Sequence, residues 1–255
     1  MATTRTSRRP VQSVETTFSL LEHLRTADGA TLSALADEFD LAKSTIHRHL
    51  KTLEQRGYVV EEHDVYYPSL RFVDLGEYAR TRRPAYEEAG RKVEKLADLT
   101  GEQAGFATEE HERAVLVHRC IGENAVRADS HLGKRFPLHA TAAGKAVLAS
   151  LPARRVERII ETHGLAEYTP NTTTDPDALR EELDRIRAEG IAFNRAEFIE
   201  GLHALAVPVH SVDDELLGAL TISGPGHRFQ GEYYREELPD VLLEAANELE
   251  LDTRY

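Results

Sequence analysis

Leu41-Ala42-Lys43-Ser44-Thr45-Ile46-His47-Arg48-His49-Leu50-Lys51-Thr52-Leu53-Glu54-Gln55-Arg56-Gly57 spaces its apolar and donor-bearing residues at a helical interval and stops on a glycine. At about 100° per residue, Ile46, Leu50 and Leu53 share one narrow sector, which must face a core. Ser44, Arg48, Lys51 and Gln55 fall within about 60° on the opposite side, flanked by Thr45 and His47. Arg48 suits a bidentate bond to a guanine edge, and Ser44 and Thr45 sit at a helix start whose amides favour phosphate. A charged outer face is usually only solvated, so the flanking sequence has to decide.

Upstream, residues 11–26 carry Val14, Phe18, Leu21 and Leu24 at helical spacing and end at Asp28-Gly29. Residues 31–39 predict a short second helix with Leu32, Leu35 and Ala36 on one side, and Phe39-Asp40-Leu41 forms a tight connector. Downstream, residues 58–60 and 65–67 predict two short strands around the polar tip Glu61-Glu62-His63-Asp64. Two helices, a three-residue turn, a donor-faced helix and a hairpin are the layout of a winged helix-turn-helix, placed over residues 11–70. Residues 1–10 read as a basic arm, with Arg5, Arg8 and Arg9 available to a minor groove. Residues 71–84 read as a linker helix closed by Pro84, with Arg80, Arg82 and Arg83 at its end.

Charge separates the two parts. Of 255 residues with a net charge of −13, residues 1–83 hold 12 Lys and Arg against 12 Asp and Glu, and the remainder holds 19 against 32. Only 6 of the 31 basic residues are Lys. A solvated acidic surface suited to high salt accounts for this pattern; GC-biased codon usage accounts for the Arg excess equally well but not for the acidity. Apolar residues at 41% are enough for packed cores, and no run approaches the roughly 18 apolar residues of a membrane span. The first ten residues lack a signal-peptide core, and the single cysteine, Cys120, excludes a disulfide framework and a Cys-based zinc site. A soluble cytoplasmic protein is expected.

Residues 85–255 predict an α+β domain with a mainly antiparallel sheet. Helices are expected over 86–99, from 141 past 148, over 152–162, 177–189 and 233–251. Strands are expected over 103–108, 114–119, 124–129, 191–195, 203–210 and 216–223. Thr141 can cap a helix whose first residues, Ala142, Ala143 and Gly144, leave the amides uncovered for a carboxylate or phosphate, although close packing also explains small residues there. Thr221 and Ser223 share one strand face by period two, opposite Leu220 and Ile222, which suits either a polar ligand or a buried hydroxyl pair. His131, His139, His203 and His210 lack metal-ligand spacing, so no metal and no other cofactor is expected.

Three ordered motifs extend these readings. Leu32-Ser33-Ala34-Leu35-Ala36 with residues 41–59 closely resembles the DNA-binding domain of IclR-family transcription regulators. Leu138-His139-Ala140-Thr141-Ala142-Ala143-Gly144-Lys145-Ala146, and Gly190-Ile191-Ala192-Phe193-Asn194 with residues 200–209 and 217–225, resemble that family's effector domain. The resemblance covers the chain from about Gln12 onward. It implies a winged helix-turn-helix joined by a linker helix to a GAF/profilin-like sensor, acting as a homodimer that can pair into a tetramer. It assigns recognition-helix positions to Lys43, Ser44, Thr45 and Arg48, and effector contacts to Ala142, Ala143, Asn194, Leu202, Ala204, Thr221 and Ser223. Two departures stand out: the family often has Asp where Asn194 stands and Cys where Ala204 stands. The acidic wing tip is a third, since only His63 there suits phosphate.

The function expected is a metabolite-controlled regulator of a catabolic pathway. It binds a palindromic double-stranded operator through Lys43, Ser44, Thr45, His47, Arg48 and Lys51, and senses an organic acid or sugar derivative. An enzyme is disfavoured: there is no Gly-x-Ser-x-Gly elbow, phosphate-binding glycine loop or His-Glu-x-x-His pair, and Ser223-Gly224 has no evident base. The alternative is an architectural, partner-binding winged-helix protein whose second domain only oligomerises.

Overall fold

Ile46, Leu50 and Leu53 are buried against Leu20, Leu24, Leu35, Val59 and Tyr66, so the narrow apolar sector of the quoted helix is the centre of a small core. A computed structural model describes residues 10–126 and 130–253; the arm residues Arg5, Arg8 and Arg9 lie outside the described residues. The chain divides into two compact units, Met1–Ala79 and Arg80–Tyr255.

The first unit contains α1 (Gln12–Thr26), β1 (Ala30–Thr31), α2 (Leu32–Glu38), α3 (Lys43–Gln55), β2 (Val59–Glu62) and β3 (Val65–Pro68). Helix α4 (Arg71–Thr81) follows and runs across the boundary, ending short of the expected residue 83. Its strands form an antiparallel sheet in the order β1-β3-β2. Thr31 caps α2 by accepting the Ala34 N–H, and Asp40 takes a left-handed φ of 48° to turn the chain into α3. The wing is tighter than expected. Glu61 and Glu62 belong to β2, and only His63 and Asp64, with φ of 52° and 65°, form the turn. Paired positive φ values are those of the two-residue turn whose twist matches its flanking strands. On α1, Leu20 and Leu24 are buried, whereas Val14 and Phe18, which share the helical spacing of Leu24, are exposed together with the preceding Val11. Helical spacing marks an apolar stripe without saying what covers it.

The second unit is built on a six-stranded antiparallel sheet, ordered β6-β5-β4-β9-β8-β7. Its strands are β4 (Gln103–Glu110), β5 (Arg113–Ile121), β6 (Arg135–Phe136), β7 (Ala192–Arg195), β8 (Leu202–His210) and β9 (Leu216–Pro225). Helix α5 (Pro84–Thr100), a π-helical turn (Tyr233–Glu237) and α9 (Leu238–Asp252) cover one face through Phe106, Leu205, Val207, Leu220 and Ile222. Helices α6 (Ala142–Ser150), α7 (Ala153–His163) and α8 (Pro176–Glu189) lie over the other. That second face is lined by alanines: Ala107, Ala114, Ala192, Ala204, Ala206 and Ala219. Small side chains let α6, buried along almost its whole length, approach the strands closely. The strand expected over 124–129 is not one: residues 124–126 follow a turn in which Arg228 binds the Asn124 carbonyl at 2.7 Å, and residues 127–129 lie outside the described residues.

Candidate nucleic-acid interface and effector pocket

Helix α3 exposes Lys43, Ser44, His47 and Arg48, with Thr45 and Lys51 half-buried. The helix is braced from three sides. Lys43 Nζ donates to the Ser33 hydroxyl at 2.9 Å, tying the helix start to α2. The Thr17 hydroxyl meets His49 Nδ1 at 2.8 Å, tying the middle to α1. At the far end Arg71 donates to the Arg56 carbonyl at 2.9 Å and lies 5.0 Å from the Tyr58 ring centre. A polar face held at fixed orientation by neutral contacts can dock on a duplex without reordering its backbone. Lys51 differs from its neighbours: it is bonded to Glu54 at 2.7 Å, which raises its ammonium above the ordinary value.

In the second unit, Ala142, Ala143, Asn194, Leu202, Ala204, Thr221 and Ser223 all border a single cavity of about 100 Å³. A water occupies roughly 10–15 Å³ on this measure, so the space admits a small organic molecule. Its walls are mainly apolar, from Ala107, Ala114, Leu116, Phe136, Phe198 and Ile199. At one end stands the start of α6. Thr141 accepts the Gly144 N–H at 3.1 Å and donates to the Pro137 carbonyl at 3.0 Å. The amides of Ala142 and Ala143 precede the first intrahelical bond and remain for a ligand. Gly144 is required for this approach, because a methyl group there would run into the Leu138 carbonyl and the Thr141 hydroxyl. Another polar group of the lining is Ser223, which accepts from Gln103 Nε2 at 3.2 Å, while Gln103 Oε1 accepts from Arg119 at 3.1 Å. Thr221 spends its proton on the Leu205 carbonyl at 2.9 Å and offers a ligand only an acceptor.

Asn194 frames the cavity. Its side chain is almost wholly buried, donating to the Ala140 carbonyl and accepting from the Glu197 N–H. The β7–β8 connection that follows carries Phe198 and Ile199 into the cavity wall and is heavily fastened. Lys145, with no exposed surface, donates at 2.6 Å to both Glu197 and Glu182. Thr169 and Thr172 donate to the carbonyls of Ala196 and Glu197 at 2.7 and 2.6 Å. These bonds hold Ala196 at a left-handed φ of 60°, a conformation that costs about 1–3 kcal/mol on its own. Phe198 is wedged between Phe136 and Tyr168, with ring centres 5.7 and 5.0 Å away.

Gln103, Ser130, Phe198, Ile199 and the Lys145 ion triad are absent from the sequence-based site. An apolar Phe198-Ile199 pair inside a connecting loop was the one available signal. Among the described residues no three His, Cys, Asp or Glu side chains converge as metal ligands. His139 Nε2 donates to the Ala166 carbonyl, 3.0 Å away, and its burial lowers its pKa from the ordinary value. His203 faces the Phe229 carbonyl at 3.3 Å, and His210 lies 3.7 Å from Glu250.

Comparison with known proteins shows the family and the fold. The family described as "Bacterial transcriptional regulator IclR C-terminal" matches residues 79–251, and "IclR helix-turn-helix domain" matches residues 13–63. The probable HTH-type transcriptional regulator ArcR of Halobacterium salinarum is 33% identical over 247 residues, covering 95% of this chain and 94% of that protein. The crystal structure of Thermotoga maritima IclR aligns with a TM-score of 0.80 at 26% identity, covering 96% and 99% of the two chains. A double mutant of the PobR inducer-binding domain from Acinetobacter, in complex with 3-hydroxybenzoic acid, aligns with a TM-score of 0.60 at 29% identity, covering 64% and 96%.

Proposed function

Because this chain belongs to the IclR family of bacterial transcriptional regulators, a family of regulators and not of enzymes, we propose that it reads a palindromic operator through α3 and senses a small organic acid in the sensor cavity. Lys43, Ser44, Thr45, His47, Arg48 and Lys51 make the DNA contacts, assisted by Arg5, Arg8 and Arg9. Ala142 and Ala143 offer amides to the carboxylate, Asn194 holds the cavity's shape, Leu202 and Ala204 line it, and Thr221 and Ser223 offer polar contacts.

One observation carries the ligand class. The cavity combines uncommitted amides at the start of α6 with walls that are otherwise almost entirely apolar. A sugar derivative would bury several hydroxyls against those walls with few partners, whereas a carboxylate on an apolar body meets the α6 amides and the apolar walls together. The 3-hydroxybenzoic acid named for the PobR domain has that chemistry. Ligand binding needs to couple to DNA affinity by only ~1–3 kcal/mol to act as a switch.

Operator symmetry calls for an even number of reading helices, and the exposed Val11, Val14 and Phe18 on α1 provide an apolar stripe suited to a second copy of the chain. Pairs of dimers extend this to a tetramer. No helix among the described residues is long and apolar enough to cross a membrane, which fits a cytoplasmic place of action on genes of a catabolic pathway.

The test is thermal denaturation of the full chain against benzoate, hydroxybenzoates, short aliphatic acids and hexoses, followed by gel shift on the duplex upstream of its own coding sequence. An acid that raises the melting temperature and alters the shift is expected. Stabilisation by hexoses alone would overturn the ligand class, and no preference over bulk DNA would overturn the reading face.

A further inference from the structure

One cation on the reading face is already occupied. Lys51 Nζ lies 2.7 Å from Glu54 Oε2, one turn along α3, and 3.5 Å from Glu61 Oε2 on the wing strand β2. The neighbouring cations differ. Lys43 donates to the neutral Ser33 hydroxyl, and Arg48 makes no ion pair among the described residues. So the reading face has a basic end at Lys43 and Arg48, and an end at Lys51 where two carboxylates surround one ammonium and leave a net negative charge.

The wing geometry makes this arrangement persistent. Glu61 pairs in register with Tyr66 of β3, and the buried Tyr66 ring places its hydroxyl beside the Glu61 carboxylate. The hairpin closes in a two-residue turn, so β2 has little freedom to swing away. Glu62, the next residue, points to the other face of the ribbon by the period of two.

We propose that Glu54 and Glu61 form an acidic clasp that keeps Lys51 from the DNA backbone until a phosphate displaces them, and that this clasp sets the affinity and salt dependence of the interface. The proposal rests on α3 being the DNA-reading face. A free lysine that neutralises a phosphate releases about 0.9 of a condensed counterion, and that release is what weakens binding as salt rises. A clasped lysine exchanges one anion for another. The carboxylates it leaves must then attract cations from solution, which offsets the release. The three side chains are 30–40% exposed, and exposed ion pairs are weak, so the clasp tunes binding without preventing it. Binding with a shallow salt slope also fits a chain whose residues 1–83 carry no net charge and whose whole carries −13.

The experiment titrates monovalent salt from about 50 to 200 mM and measures binding of the full chain to a fluorescent random-sequence duplex, since phosphate contacts do not depend on sequence. Wild type is compared with Glu54→Gln/Glu61→Gln, and Lys51→Met is introduced into both backgrounds. The double glutamine variant is expected to bind about three- to ten-fold tighter, with a log–log salt slope steeper by about one. Lys51→Met should cost at least three-fold more affinity in the glutamine background than in wild type, because only there does Lys51 meet phosphate without first giving up two carboxylates. Equal costs in the two backgrounds, or an unchanged slope in the glutamine variant, overturn the clasp. Arg48→Ala, measured alongside on the duplex upstream of the chain's own coding sequence, reports on the reading face itself. If it weakens binding while the Lys51 cycle shows no coupling, only the clasp falls; if it has no effect, the reading face falls with it.

Discussion

Asn194 Nδ2 lies 2.6 Å from the Ala140 carbonyl oxygen while Asn194 Oδ1 accepts the Glu197 N–H at 3.2 Å, so one side chain joins the approach to α6 with the β7–β8 connection. Both segments lead into the cavity lining, one through Thr141, Ala142 and Ala143 and the other through Phe198 and Ile199. Replacing Asn194 by Leu keeps the volume and leaves a buried carbonyl and a buried amide without partners, each worth about 1–3 kcal/mol. The sensor unit of Asn194→Leu is expected to melt earlier, and acid-induced stabilisation should shrink because the cavity wall loosens. Melting curves with and without ligand check both; an unchanged melting temperature would mean that the two bonds are dispensable.

Arg48 is the exposed guanidinium on α3 without an internal ion pair among the described residues, which leaves its fork for a base edge. Arg48→Ala is expected to lose about 1–3 kcal/mol of operator affinity and to relax preference at one base pair of each half-site. Competition binding against single-base operator variants reads this directly. Equal discrimination by wild type and variant would place the base-reading contact elsewhere on the helix.

The Lys145 triad makes an asymmetric prediction. Lys145→Met leaves Glu197 and Glu182 without their buried cation and should cost about 3–5 kcal/mol. Adding Glu182→Gln and Glu197→Gln removes the stranded charges and should recover much of that loss. Chemical denaturation of the single and triple variants decides the matter. A triple variant no more stable than the single one would show that hydrogen-bond geometry, not charge, is what the triad supplies.

His139 gives the sensor unit a pH dependence of known sign. Burial holds its pKa below the ordinary value of about 6.5, with the positive charges of Arg113 and Lys145 acting the same way and the Ala166 carbonyl opposing. On acidification the unfolded chain therefore takes up the proton first. The stability this contributes is complete above about 6.5 and is lost as pH falls toward the lower folded value. Between pH 7.5 and 5.5 the wild-type melting temperature should fall further than that of His139→Gln. Parallel falls would assign the loss to other groups.

The readable parts of this molecule were those governed by local period. Ile46, Leu50 and Leu53 separate from Ser44, Arg48 and Lys51 on any helical wheel, and the structure buries the first set. Leu220 and Ile222 separate from Thr221 and Ser223 on any strand, and they do face opposite sides of the sheet. What remained hidden depends on contacts distant in sequence. Gln103 reaches Ser223 only because β4 pairs with β9, 120 residues away. Glu61 reaches Lys51 only because the wing turns in two residues instead of four. Val14 and Phe18 obey the same helical period as Leu24 yet are exposed, since spacing cannot distinguish an internal neighbour from an external one. The strand expected over 124–129 is absent from its described part, residues 124–126, where Val126 alone is β-branched.

The alanine-lined side of the sensor sheet carries an evolutionary consequence. Ala107, Ala114 and Ala204 form part of the cavity boundary from three different strands, so a larger side chain at any of them would change the cavity's size. Such a change would reshape the chamber without disturbing Thr141, the α6 amides or the fastened loop beyond Asn194. Single methyl-scale steps on one scaffold can thus change what the chamber admits while the start of α6 and the face of α3 stay as they are.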